Sequence, residues 1–239
     1  LKMISTKESL DCPVCDKKTD TIINLKNYPL TEIYQKFKQN SFNFPTHFNQ
    51  EFKYCEICDH AFLGKLLPQD FLYNEENYRT CSSTSHGAIL ALSNFYNFIQ
   101  KYIPDSVNTI IDIGANDTSL LKQFKNNDSK LIGIDPNIVS DDNNIECIKD
   151  YFENVDISTK TDKQNVFLCS HTMEHIFSPK IFMELLSTKS KNLDIFFFQF
   201  PSLNLLIRDF RFDQIHHQHI NYFSVKSFNK LINQFGFEM

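Results

Sequence analysis

The chain has 239 residues, 41% of them hydrophobic, enough for one large domain and a small one with a real core. Its 24 Lys and Arg against 29 Asp and Glu leave a formal net charge of -5 with no basic block, so clustered cations that could displace counterions are missing and a nucleic-acid partner is disfavoured. No apolar run approaches the about 20 residues of a membrane span. The densest, Leu193 to Phe200, contains Asp194 and Gln199, and Leu1 to Leu10 has no apolar signal core. The expectation is a cytoplasmic protein without a membrane partner, in which paired cysteines more often mean metal than disulfide.

In chain order, Leu10 to about Leu66 shows little helical periodicity and carries Cys12-Pro13-Val14-Cys15 and Cys55-Glu56-Ile57-Cys58. Each pair places two thiolates on one turn, and two such turns complete the four sulfurs that zinc prefers, with no open position for water. Cys12, Cys15, Cys55 and Cys58 are therefore the candidate ligands of a structural Zn2+; His60 could replace one of them, but nothing requires it. Cys81, Cys147 and Cys169 stand alone and read as core or near-site residues. Asp70 to Ser85 is a polar and aromatic connector. After it, Ala88, Leu90, Leu92, Phe95, Phe98, Ile99 and Tyr102 give a helical pattern that ends before Pro104.

Five strands are predicted beyond that point, over Val107 to Ile113, Lys130 to Asp135, Ile145 to Lys149, Val166 to Ser170 and Asp194 to Phe200. Such nearly unbroken apolar runs fit a parallel sheet covered on both faces, with helices in the intervals. Ser178-Pro179 is expected to cap a helix over Ile181 to Leu186, and Ser224 one over Phe228 to Phe235 ahead of Gly236. The final Gly236-Phe237-Glu238-Met239 reads as the entrance to a further strand, which suggests a sheet cut short at its C-terminal end.

The block from Thr109 to Pro136 carries most of the chemical information. Ile110-Ile111-Asp112-Ile113 and Leu131-Ile132-Gly133-Ile134-Asp135 are strands, Gly114-Ala115-Asn116-Asp117-Thr118 is a tight loop, and Ser119 to Phe124 has apolar residues at helical spacing. A pyrophosphate site needs several small residues so that backbone can approach it, and this loop has one glycine. NAD and FAD drop in rank. S-adenosylmethionine has no phosphate; it needs a turn over its amino-acid part and an acid at the end of the second strand for its ribose hydroxyls, and Asp135 meets that need. Asp112, Gly114, Asn116, Asp135, Asp150 and His171 are the candidate cofactor residues. Asp150 could accept the adenine amino group or simply begin a helix.

The ordered set of zinc knuckles, Tyr78-x-x-x-Ser82-Ser83-x-Ser85, Asp112 to Asp117, Gly133-Ile134-Asp135-Pro136, Met173-Glu174-His175 and Asp213-x-x-His216-His217-Gln218-His219-x-x-Tyr222-Phe223-Ser224 resembles the zinc-containing sugar C-methyltransferases over nearly the whole chain. The resemblance implies an α/β fold: a Rossmann-like class I methyltransferase domain over residues 105–239, a small four-cysteine zinc-binding domain over 1–66, and a helical connector, 67–104, contributing to the active site. It implies an enzyme that uses S-adenosylmethionine to methylate a carbon of a keto-sugar linked to a nucleotide, in glycan or secondary-metabolite biosynthesis. His219 would be the general base, with His175 in the same pocket, Tyr78 over the substrate, and His216 and Gln218 in the catalytic segment. Three positions depart from the family pattern, which has glycine at Thr118, tyrosine at His216 and glutamate at Gln218. The family also carries a large C-terminal domain that helps hold the nucleotide sugar, and this chain ends before it.

A histidine with an ordinary pKa near about 6.5 suits proton removal from carbon or hydroxyl at neutral pH. A glutamate beside it would hold the imidazolium, whereas Gln218 orients without adding charge, so a weaker base is expected, or one assembled from His216, His217 and His219 together. The competing readings are an O- or N-methyltransferase acting on another small molecule or glycan precursor, and an inactive methyltransferase-like binding module. A small-molecule partner, sugar or sugar nucleotide, and a monomer or weak homo-oligomer complete the expectation.

Overall fold

The structure, a computed structural model, describes residues 6–31, 45–73, 81–104, 106–125, 128–157 and 164–239. They form two compact units. One comprises Leu1–Arg79, Glu174–Glu184 and Pro201–Met239, and the other Thr80–Met173 and Leu185–Phe200.

The first unit begins with five strands, β1 (Lys7–Glu8), β2 (Thr21–Pro29), β3 (His47–Cys55), β4 (His60–Leu63) and β5 (Lys65–Leu66), and the short helix α1 (Gln69–Leu72). β2, β3 and β4 pair antiparallel in sequence, and β1 pairs with β5. β4 is buried throughout and β2 is largely exposed, so one edge of the sheet faces protein and the other faces water.

The second unit opens with α2 (His86–Ile99), whose first turn is capped by the Ser85 hydroxyl accepting from the Ala88 amide at 3.4 Å. Leu92, Phe95 and Ile99 recur at helical spacing and are buried with Ile110, Phe124, Leu131, Leu168 and Phe197. Five strands follow: β6 (Thr109–Ile113), β7 (Lys130–Ile134), β8 (Ile145–Ile148), β9 (Asn165–Ser170) and β10 (Ile195–Gln199). All four pairings are parallel, in the order β10-β9-β6-β7-β8. Every strand expected from the apolar runs is present within two residues of its predicted ends; the central β6, β7 and β9 are buried nearly throughout, as such runs demand, and the edge strands β8 and β10 only in part.

One local detail differs from the expectation. The helical spacing over Ser119 to Phe124 yields a single 3₁₀ turn, Leu121–Phe124. Leu120, Leu121 and Phe124 are buried as that spacing demands, but the Gln123 amide bonds the Leu120 carbonyl, the tighter i to i+3 pattern. Gly133 has no room for a side chain: a Cβ there would stand 2.8 Å from Ile138 Cδ1 and 3.0 Å from Ala115 Cβ.

The helix α3 (Pro179–Lys189) starts with proline at its first position, and the Phe182 amide bonds the Ser178 carbonyl. After α4 (Leu203–Arg208) the chain adds β11 (Asn221–Phe223), which pairs antiparallel with β4 and so becomes the fourth strand of the first unit's sheet. The amphipathic α5 (Val225–Asn233) follows, with Phe228, Leu231 and Ile232 buried. Its start is a reciprocal capping box: Ser227 donates its amide to the Ser224 hydroxyl at 3.0 Å, and Ser224 its amide to the Ser227 hydroxyl at 2.9 Å. Among the described residues no helix is long and apolar enough to cross a membrane.

Candidate functional site

In the second unit the strand order reverses at β6, which has β7 on one side and β9 on the other, so the switch point at which such sheets bind ligands lies past the carboxyl ends of β6 and β9. The Gly114 loop and the His171-Thr172 turn lie at those ends. Gly114 has φ +80, and a Cβ on it would fall 2.1 Å from Thr172 Oγ1, which itself donates to the Ile113 carbonyl at 3.1 Å. Only glycine fits under Thr172. Asn116 and Thr118 also adopt left-handed backbone, at φ 47 and φ 58. For threonine this conformation is strained, and its buried hydroxyl bonds Ser140 Oγ at 2.9 Å. The loop thus keeps the backbone of a glycine-rich turn with a single glycine.

Asp135 follows the end of β7 and closes the loop: one carboxylate oxygen accepts from the Asn116 amide at 3.2 Å and the other from the Asn137 amide at 2.7 Å. Asp112 is buried in β6, and its Oδ1 has no hydrogen-bond partner among the described residues. Burial, followed by the nearby Asp135 carboxylate, holds its carboxyl well above the usual range. A cradle that admits only glycine, an acid at the strand end and an orphaned buried carboxyl oxygen together fit a nucleoside bearing an amino acid. His171 is exposed, with φ 51, and its amide bonds the Gln199 carbonyl at 2.7 Å. Asp150 Oδ1 accepts from the Tyr151 amide at 2.7 Å and from Asn154 Nδ2 at 2.8 Å, so this side chain is engaged by the turn it begins.

In the first unit the two Cys-x-x-Cys segments are built alike. The Asp16 amide bonds the Cys12 carbonyl at 2.9 Å and the Asp59 amide bonds the Cys55 carbonyl at 2.8 Å, with Asp16 at φ 58 and Asp59 at φ 59. One donor atom from each of Cys12, Cys15, Cys55 and Cys58 lies within 4.8 Å of the others, and Cys15 Sγ is 3.7 Å from Cys55 Sγ. Sulfurs at about 2.3 Å from a tetrahedral ion are about 3.8 Å apart, so the spacing fits metal ligands; a disulfide would hold them at about 2.0 Å. Burial pushes the Cys12 thiol up and Cys58 up to about 12, whereas at Cys55 burial is outweighed by hydrogen bonds from the Cys58 backbone, Cys15 and Cys12, which hold its thiol below the usual value. His60 is not among the four donors. It is buried between Phe62 and Phe223, and burial lowers its pKa to about 3.

The histidine segment also belongs to the first unit. Its two pieces are tied together where the Ile220 amide bonds the Glu174 carbonyl at 2.8 Å and Asn221 Nδ2 bonds the Ile176 carbonyl at 2.6 Å. His175 and His219 have ring centroids 4.9 Å apart, and His216 and His219 3.9 Å. His175 Nδ1 faces the Gln218 carbonyl at 2.9 Å and the Tyr73 hydroxyl at 3.0 Å, and His219 Nδ1 faces the Gln214 carbonyl at 3.1 Å. Burial, then the neighbouring His175 and His217, lowers the His216 pKa to about 4 against the pull of Asp213. His217 turns away from the other three, towards Gln50 Nε2 at 3.2 Å and the rings of Tyr28 and Phe48, and burial lowers its pKa too.

The candidates therefore sort by unit. Asp112, Gly114, Asn116, Asp135, Asp150 and His171 lie in the second; His175, His216, Gln218 and His219 lie together in the first; Tyr78 lies outside the described residues. Two members of the histidine cluster escape sequence reasoning. Glu174 offers a carboxylate oxygen within 4.8 Å of a donor nitrogen of both His175 and His219, and Tyr73 reaches His175. The only signal for Glu174 was its place beside His175, and an aromatic connector gave none for Tyr73 in particular.

Comparison with curated proteins gives no match. Among solved structures, one similar chain is a SAM-dependent methyltransferase described as a "possible histamine N-methyltransferase" from Thermotoga maritima, at 13% identity and a TM-score of 0.48, over 62% of this chain and 72% of that one. A family model described as a methyltransferase domain matches residues 86–239, well over half of the sequence. The chain belongs to that methyltransferase domain family and is an S-adenosylmethionine-dependent methyltransferase.

Proposed function

We propose that the acceptor is the keto form of a nucleotide-linked deoxysugar, methylated on carbon, and that His219 removes the proton from that carbon. The observation that carries this reading is the pair of locked imidazoles. A carbonyl can only accept, so His175 and His219 each hold a proton on Nδ1, and in the neutral rings the lone pair lies on Nε2. His219 is thereby set in the tautomer of a general base, without needing a neighbouring carboxylate to choose it. Glu174 brings a carboxyl oxygen within 4.8 Å of a ring nitrogen of His219, a position from which Gln218 offers only an amide. The ordered motifs shared with the sugar C-methyltransferases supply the acceptor class.

When bound, S-adenosylmethionine supplies an electrophilic methyl group to the deprotonated carbon. The Gly114 turn and the Asp135 carboxylate would hold its amino-acid and ribose parts. Catalysis is then chiefly alignment of two reactants, with one proton moved to His219 Nε2. The same reading places a structural zinc in the four-cysteine cluster of the first unit, where every ligand position would be filled by sulfur.

The test is product analysis by NMR after incubation with a nucleotide-linked keto-sugar. A new carbon-bound methyl supports the proposal, and a methyl on oxygen or nitrogen overturns it. His219→Ala is expected to lower kcat by about 10²–10⁴-fold. Affinity for S-adenosylhomocysteine, measured by calorimetry, is expected to stay near the wild-type value; a large loss would show that His219 serves the cofactor instead.

A further inference from the structure

We propose that Glu174, His175 and His219 form a second metal site, for a divalent first-row transition ion, separate from the four-cysteine cluster. Three features carry this. One donor atom from each of the three residues lies within 4.8 Å of the others, the same closeness that gathers the four cysteines. Ligands held about 2.1 Å from an ion lie about 3.4 Å apart, so the three side chains need to close by no more than about 1.4 Å.

The second feature is the hydrogen bonding behind the rings. Metal-bound imidazoles almost always donate their other N–H to a carbonyl or carboxylate, which fixes ring and tautomer. His175 and His219 both face such a carbonyl through Nδ1, those of Gln218 and Gln214, an arrangement that would assign coordination to Nε2 of each ring. The third is the frame. Glu174 is buried, the Glu174 carbonyl receives the Ile220 amide, and Asn221 opens a strand paired to β4, so the three ligands are mounted on hydrogen-bonded segments of one unit.

Two imidazoles and one carboxylate suit zinc, iron or cobalt in the divalent state; they do not suit calcium or magnesium, which prefer an all-oxygen shell. Three protein ligands also leave a position open, unlike the closed sulfur site. The inference does not depend on which acceptor the enzyme methylates.

The experiment is a zinc titration of the full chain after its four-cysteine site has been filled, with metal per chain measured by plasma emission. Two equivalents are expected for the wild type and for His86→Ala, which removes an exposed histidine, and one for Glu174→Gln and His219→Ala. Co2+ added to the zinc-loaded wild type should give ligand-field bands without thiolate charge transfer. A wild type that takes up one equivalent overturns the proposal whatever the variants do. So does a second equivalent that survives in both Glu174→Gln and His219→Ala, or cobalt spectra showing sulfur ligation. Failure here leaves the product analysis untouched, so the two readings fall separately.

Discussion

At Gly114 the demands of backbone and packing coincide: φ is +80, and a methyl group would meet Thr172 Oγ1 at 2.1 Å. Gly114→Ala is expected to lose S-adenosylhomocysteine binding in calorimetry and to destabilise by more than the about 1–2 kcal/mol of left-handed strain alone. Adding Thr172→Ala should return the part due to the clash and leave the strain. Asp117 supports a second residue-level prediction. Burial pushes its carboxyl up, but hydrogen bonds from Ser119 and from the Ser83 amide at 2.7 Å outweigh that and hold it below the usual range. A depressed folded pKa contributes stability that is present above the unfolded value of about 3.9 and lost as pH falls through the folded one. Asp117→Asn should therefore show a shallower loss of stability on acidification in urea titrations. Zinc offers a third. A metal on Nε2 of His219 excludes proton uptake by the same nitrogen, so turnover is expected to fall in step with the second zinc equivalent. At this scale the sequence named the loop but not its geometry, because nothing in the letters of Thr118 announces a positive φ. Glu174 was equally silent: a carboxylate next to a histidine belongs to no periodic pattern, and its closeness to His219 arises only when two distant segments pair.

Among the elements, α5 shows how a local signal can be read and still understate its role. Ser224 reads from the sequence as an N-cap, and it is one. Its hydroxyl also donates to the Asp59 carbonyl at 2.6 Å, and Asp59 is the left-handed residue that closes the Cys55–Cys58 turn. Ser224→Ala is expected to cost about 1–2 kcal/mol in urea denaturation. It should also speed zinc loss to a chromogenic chelator, whereas Ser224→Thr, which keeps the hydroxyl, should do neither. The central strands β6, β7 and β9 were legible because burial on both faces demands nearly unbroken apolar runs, which show in the letters themselves. β11 was not. Three residues, Asn221–Phe223, are too few to carry a period, and their pairing with β4 is a non-local event.

For the whole molecule, the four-cysteine cluster and the parallel sheet belong to different units, and the difference can be measured. Stripping the four-cysteine site with a chelator should remove hydrogen-exchange protection from β3, β4 and β11 while β6 and β9 keep theirs; uniform loss over both units would count against a structural role confined to the first. The first unit is also discontinuous in sequence, since the strand that completes its sheet comes from Asn221–Phe223. On the ribosome, both pairs of cysteines emerge long before that strand does. The cysteine cluster can assemble as soon as Cys58 is out, but β4 must then wait with an open edge through the synthesis of the entire parallel sheet. Early metal capture would serve as a clasp during translation, limiting mispairing of that edge until the last strand arrives.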